Sequence, residues 1–163
     1  MIFSSGKTVK QHVGQRGSVY VWIVVLMPLF LLIAGLVTDL STMYSLVNRV
    51  QATLDAAGTS AVSSSLLESS LRDGDHNAVI DTDKARETFL VLVQRNLQLD
   101  ADLVPLPGSF LTGGLILSEL EFQPEGPPSV TVTARVPFRA TILKFLQSEI
   151  SIPVHSVSVL EVK

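Results

Sequence analysis

The chain has 163 residues, a net charge of −3 and no cysteine. That excludes disulfide staples, thiolate catalysis and any cysteine-built zinc site. The charge is unevenly placed: residues 1–38 carry Lys7, Lys10 and Arg16 without an acid, while the other nine Lys and Arg face all fifteen acids, leaving the remainder at −6 with no reason to bind nucleic acid.

Residues 17–38, GSVYVWIVVLMPLFLLIAGLVT, contain no charge. A hydrocarbon core about 30 Å thick needs about 20 apolar residues in a helix, and this run meets that length. A soluble helix that is apolar all round would need protein on every side, more than this polar remainder supplies. The run is therefore expected to be a single transmembrane helix. Basic flanks are retained inside, so residues 1–16 form a cytoplasmic tail and the C-terminal part is extracytoplasmic, in the cell (inner) membrane. Tyr20 and Trp22 fall near the cytoplasmic interface, where amphipathic rings favour the headgroups. A cleaved signal peptide is the rival reading. The run exceeds the usual signal core, however, and no small-x-small site precedes Asp39.

The helical period does not stop at Asp39. Leu40, Met43, Val47, Val50, Leu54, Ala57 and Ala61 recur at alternating steps of 3 and 4, predicting that the helix continues as an amphipathic rod over residues 39–71. Gly58 and the run of Ser63, Ser64 and Ser65 weaken its far end. The seam needs a cover, either the chain's own sheet or helices of neighbouring subunits, and for the outer half the chain's own sheet is the simpler one. Asp39 marks the membrane exit and needs only water to explain it. Asp55, beside Leu54, reads as part of a solvated polar face, with pairing across a subunit interface as the alternative.

Residues 72–163 are expected to form a helix-plus-sheet domain, giving an α+β fold. Residues 73–83, DGDHNAVIDTD, place Asp73, Asp75 and Asn77 at the first positions of a calcium loop. Ala78 replaces its glycine and Lys84 its final glutamate, so the segment reads instead as a solvated loop whose acids favour the next helix N-terminus. That helix, residues 83–97, puts Ala85, Phe89, Leu92, Val93 and Leu97 on one face. Residues 103–114 are a loop rich in Pro and Gly.

From Leu115 the period changes to two. Ile116, Leu120 and Phe122 share a side with Ser118, and after QPEGPPS the residues Val130, Val132, Ala134 and Val136 alternate with Thr131, Thr133 and Arg135, predicting an antiparallel hairpin. Residues 138–147 suit a short helix. Ile150, Ile152 and Val154 begin a last strand running towards Val162, which Pro153 confines to an edge or breaks.

Arg16-Gly17 before the span, Pro28 within it, residues 35–39 (GLVTD) at its exit and residues 51–57 (QATLDAA) in the rod resemble the N-terminal module of TadE/TadG-like, tight-adherence (Flp-type) pilus-assembly proteins. The resemblance covers residues 16–61. It implies a pilin-like, minor pilin or pseudopilin-like subunit that works with other pilus or secretion subunits through helix packing. It also implies prepilin-peptidase cleavage after a glycine, here Gly17 before Ser18. The family's glutamate five residues further on is replaced by Trp22, and the Asp-x-Ser-x-Ser metal motif of its larger members does not occur.

No catalytic constellation emerges. His12, His76 and His155 have no helically spaced partner, the residues around Ser109 lack a nucleophile elbow, and Gly113-Gly114 lacks a phosphate-loop lysine. Glu119 and Glu121 alternate on one strand face, the pattern of a solvated surface. No cofactor, metal or catalytic residue is expected, and the partners are membrane lipid and other assembly subunits. The competing reading is a membrane-tethered extracytoplasmic binding or sensor domain.

Overall fold

The computed structural model describes residues 16–66, 79–124, 127–140 and 150–159. Helix α1, Arg16–Ser64, runs for 49 residues without interruption, about 73 Å at 1.5 Å per residue. It passes through Pro28. Thr38 and Thr42 donate their hydroxyls to the carbonyls of Ala34 and Thr38, four residues back, so neither hydroxyl needs water. The helix stops at Ser64, short of residue 71. There the Ser65 hydroxyl donates back to the carbonyls of Ala61 and Val62, giving the last turn a competing set of hydrogen bonds.

Helix α2, Thr82–Leu97, begins where Asp81 accepts from the backbone N–H groups of Asp83 and Lys84. That is the acid contribution expected of the preceding segment, made by its last part. Leu66 and Ile80 form a bridge, and the Asp81 N–H donates to the Ser65 carbonyl, so the end of α1 is tied to the start of α2. Gln98, in the left-handed conformation, closes α2. The loop beyond it is built on Asp100, whose carboxylate accepts from the N–H groups of Asp102 and Val104.

Strands β1 (Ile116–Gln123), β2 (Ser129–Phe138) and β3 (Ile150–Val159) form an antiparallel sheet in the order β1-β2-β3. Both helices cover one face of it, α1 against β2 and β3 and α2 against α1 and β1. This α+β arrangement of a long apolar helix, a second helix and a small sheet is the one read from the sequence. Val130, Val132, Ala134 and Val136 are all buried as predicted. Phe89 of α2 meets Phe122 of β1 edge to face, with ring centroids 6.4 Å apart. Pro153 lies on β3, an edge strand.

Two expectations are corrected. Ile116 does not face inward: it is 59% exposed, and Leu117 takes its place, because a register shift between Leu117 and Glu119 flips the alternation. Phe138 belongs to β2 rather than to a helix. The alternation begun by Ile150, Ile152 and Val154 continues along β3, so that Ser156 and Ser158 face inward while Val157 and Val159 face outward. The basic tail, the calcium-like positions Asp73, Asp75 and Asn77, the rest of the expected short helix and the strand's continuation towards Val162 lie outside the described residues.

Gly58 explains why the inner face of β3 carries serines there. A Cβ there would lie 2.7 Å from Ser158 Oγ and 2.8 Å from Val130 Cγ1, so only glycine on α1 and a small residue on β3 allow this approach. In a helix interior Gly→Ala normally gains about 1 kcal/mol. Here Gly58→Ala is expected to destabilise by about 1–3 kcal/mol through overpacking. Denaturant midpoints of the detergent-solubilised chain check this, with Ser158→Gly expected to restore part of the loss.

Candidate membrane anchor and helix interface

The largest feature of the surface is the bare lower half of α1. From Val19 to Ile33 its large apolar side chains are exposed on all sides. The helix holds a window of mean hydropathy 2.7, none of it buried in the chain, so it is long and apolar enough to cross a membrane. An apolar surface of this extent needs lipid or protein around it. Gly17 and Ser18 lie in the first turn of α1.

The interface residues divide by height. Leu40 is 47% exposed, Met43 and Val47 are half-buried, and Val50, Leu54, Ala57 and Ala61 are buried in the core. From Val50 upward the seam is covered by the chain's own α2 and sheet, because α1 offers those elements a stripe of aliphatic and then small side chains.

Both aspartates depart from the solvated roles expected of them. Asp39 is only 4% exposed and is engaged within the chain, so it is not a charge held in water at the lipid boundary. Asp55 is turned to β3: the Ser156 hydroxyl donates to its Oδ1, and the Ser158 hydroxyl donates to its backbone carbonyl at 3.2 Å. The side chain and the backbone carbonyl of one helix residue are thus each answered by a buried serine on the strand, and buried hydroxyls placed this way avoid the cost of an unmade hydrogen bond. Alternation from Ile150, Ile152 and Val154 already carries Ser156 and Ser158 to the inward face; what sequence reasoning missed is their pairing with Asp55, because the two segments lie about a hundred residues apart.

On the opposite face of the sheet, register brings together Glu119, Thr133 and His155. The Thr133 hydroxyl donates to Glu119 Oε2 at 3.2 Å and lies 3.2 Å from His155 Nδ1. The three form an open row along the outer face of the sheet, with Glu119 and His155 exposed. Glu121 is exposed beside them. Among the described residues, no group of three or more His, Asp or Glu is placed to hold a metal ion.

With this geometry in place, comparison with known proteins gives one match. Residues 17–64 match the model of the putative Flp pilus-assembly TadE/G-like family. The matched segment coincides with α1, which spans Arg16–Ser64. No curated protein and no solved structure matches the chain.

Adjacent seam positions give a controlled test. Leu54 is fully buried, whereas Thr53 lies off the core and donates its hydroxyl to the Arg49 carbonyl. Leu54→Asp is expected to destabilise by more than about 4 kcal/mol, by burying a charge without a partner. Thr53→Asp is expected to cost under about 1 kcal/mol. Unfolding of the two variants, followed side by side by circular dichroism, separates these outcomes.

Proposed function

We propose that this chain is a non-enzymatic, single-span membrane subunit that serves the assembly of a tight-adherence (Flp-type) pilus or a related secretion apparatus, as a minor pilin or pseudopilin-like component. Its N-terminus is cytoplasmic, and its helix-plus-sheet domain is extracytoplasmic in the inner membrane. The observation that carries this reading is the coincidence of the family match with α1, a helix bare of protein cover below and packed into the chain's own core above. Such a helix offers its lower part to lipid or to equivalent helices, and its upper part holds a folded domain at the membrane surface. Leu40, Met43 and Val47 are the residues of the partly covered stretch through which neighbouring assembly subunits would pack, beside Asp39, which is engaged within the chain. Val50, Leu54, Asp55, Ala57 and Ala61 fix the domain to the same helix.

Deletion of the gene in its native host is the test. Loss of surface pili, restored by the wild-type chain and not by one lacking residues 19–38, supports the proposal. Unchanged pili overturn it. The intact mass of the restored protein, extracted from membranes, decides its place in the system. Loss of residues 1–17 means cleavage between Gly17 and Ser18 and a component of the fibre, and the full mass means an uncleaved assembly factor.

A further inference from the structure

A cavity of about 390 Å³ opens beside α1 just above the bare helix, lined by Ser41, Thr42, Ser45, Leu46, Arg49 and Phe110. Ser41, Ser45 and Arg49 stand at successive steps of four, hence on one side of the helix. The Arg49 guanidinium carbon lies 4.0 Å from the centroid of the Phe110 ring. Stacking fixes the plane of the guanidinium and leaves its edge, with its N–H donors, free to meet an anion. Among the described residues Arg49 has no carboxylate partner.

The height of this cavity relative to lipid follows from the aromatic side chains. Tyr20, Trp22 and Tyr44 are all well exposed on α1, Tyr44 by 70%. Trp22 and Tyr44 are 22 residues apart, about 33 Å along the axis, which matches a hydrocarbon core about 30 Å thick bounded by a ring at each interface. Asp39 does not contradict this level, because it is engaged within the chain and shielded from whatever surrounds the helix. Between Asp39 and Tyr44, Leu40 is exposed and the Thr42 hydroxyl is satisfied by the Thr38 carbonyl, as a helix in an apolar or interfacial layer requires. Arg49 then stands five residues, about 7–8 Å, beyond Tyr44. Helical side chains lean towards the N-terminus, so its guanidinium reaches back towards the headgroup layer.

We infer that this cavity binds the phosphate of an anionic phospholipid headgroup, with Arg49 as the charged donor, Ser41 and Ser45 as hydroxyl donors, and Phe110 as the plate that orients Arg49. The bound lipid seats the extracytoplasmic domain on the leaflet at a fixed height and rotation. This rests on the proposed membrane span.

The test uses the full chain purified in detergent, with phosphatidylglycerol added and lipid retention read by native mass spectrometry. Wild type is expected to keep about one phosphatidylglycerol per chain, and Arg49→Gln to bind it about tenfold more weakly, the effect of losing a charge-assisted hydrogen bond. Phe110→Ala is expected to weaken it less, and Arg95→Gln on α2, away from this cavity, not at all. Equal retention by wild type and Arg49→Gln overturns the site, as does full displacement of the lipid by millimolar inorganic phosphate, which would make it a site for the free anion. Alkaline carbonate washing of native membranes separates the two levels of failure. Release of wild type by the wash refutes the span itself, whereas firm retention together with equal lipid binding refutes only the headgroup site.

Discussion

The close approach of α1 to β3 at Gly58 is the contact on which the rest of the structure depends. A helix that leaves a bilayer has no reason of its own to hold a sheet at a fixed angle. Here it does so because Gly58 lets its backbone come close to Val130 of β2 and Ser158 of β3, and because Ser156 and Ser158 donate to Asp55 from the strand. Leu54 and Val50 then close the core below this point with fully buried aliphatic surface. These hydrogen bonds add register: sliding the helix by one turn along the strand would leave the buried Ser156 and Ser158 hydroxyls without Asp55.

Under the proposed membrane span, the same helix is anchor and core at once. Its lower part is apolar all round and bare, its upper part amphipathic and covered, and the change takes place over the stretch from Leu40 to Val47. The family match ends where α1 ends. Under the proposed span a physical reason is available: the helix must satisfy lipid, interface and core together, whereas the remaining elements need only present an alternating apolar face to cover it. Many sequences meet that looser demand, and they leave little that is recognisable from one protein to another.

Much of this was legible in the residues. The 3,4 spacing from Leu40 to Ala61 gave the continuous helix, and the alternation from Val130 to Val136 gave the central strand. The Asp-rich segment gave the cap of α2, through Asp81. What was not legible depended on partners distant in sequence. Alternation carries Ser156 and Ser158 inward, but their pairing with Asp55 and their fit against Gly58 depend on residues about a hundred positions away. The inward turn of Leu117 depends on a bulge against β2, and periodicity read through it put Ile116 on the wrong face. Asp39 looked like the end of a span because a charge usually marks water, yet tertiary structure shields it. The cavity at Arg49 joins α1 to a loop sixty residues later through Phe110, and no local pattern announces such a pair.

The central claim is that one unbroken helix crosses the membrane and then enters the core of an extracytoplasmic domain. A chain without cysteine is suited to the most direct test, labelling of single introduced cysteines in intact cells by a membrane-impermeant maleimide. Thr131→Cys on the outer face of the sheet should label readily, Phe30→Cys in the bare helix should resist even after the membrane is permeabilised, and Ala57→Cys should label only on unfolding. Ready labelling at Phe30 in intact cells, or protection of Thr131 until permeabilisation, would contradict the account: the first places the apolar helix in water and the second places the domain on the other side of the membrane.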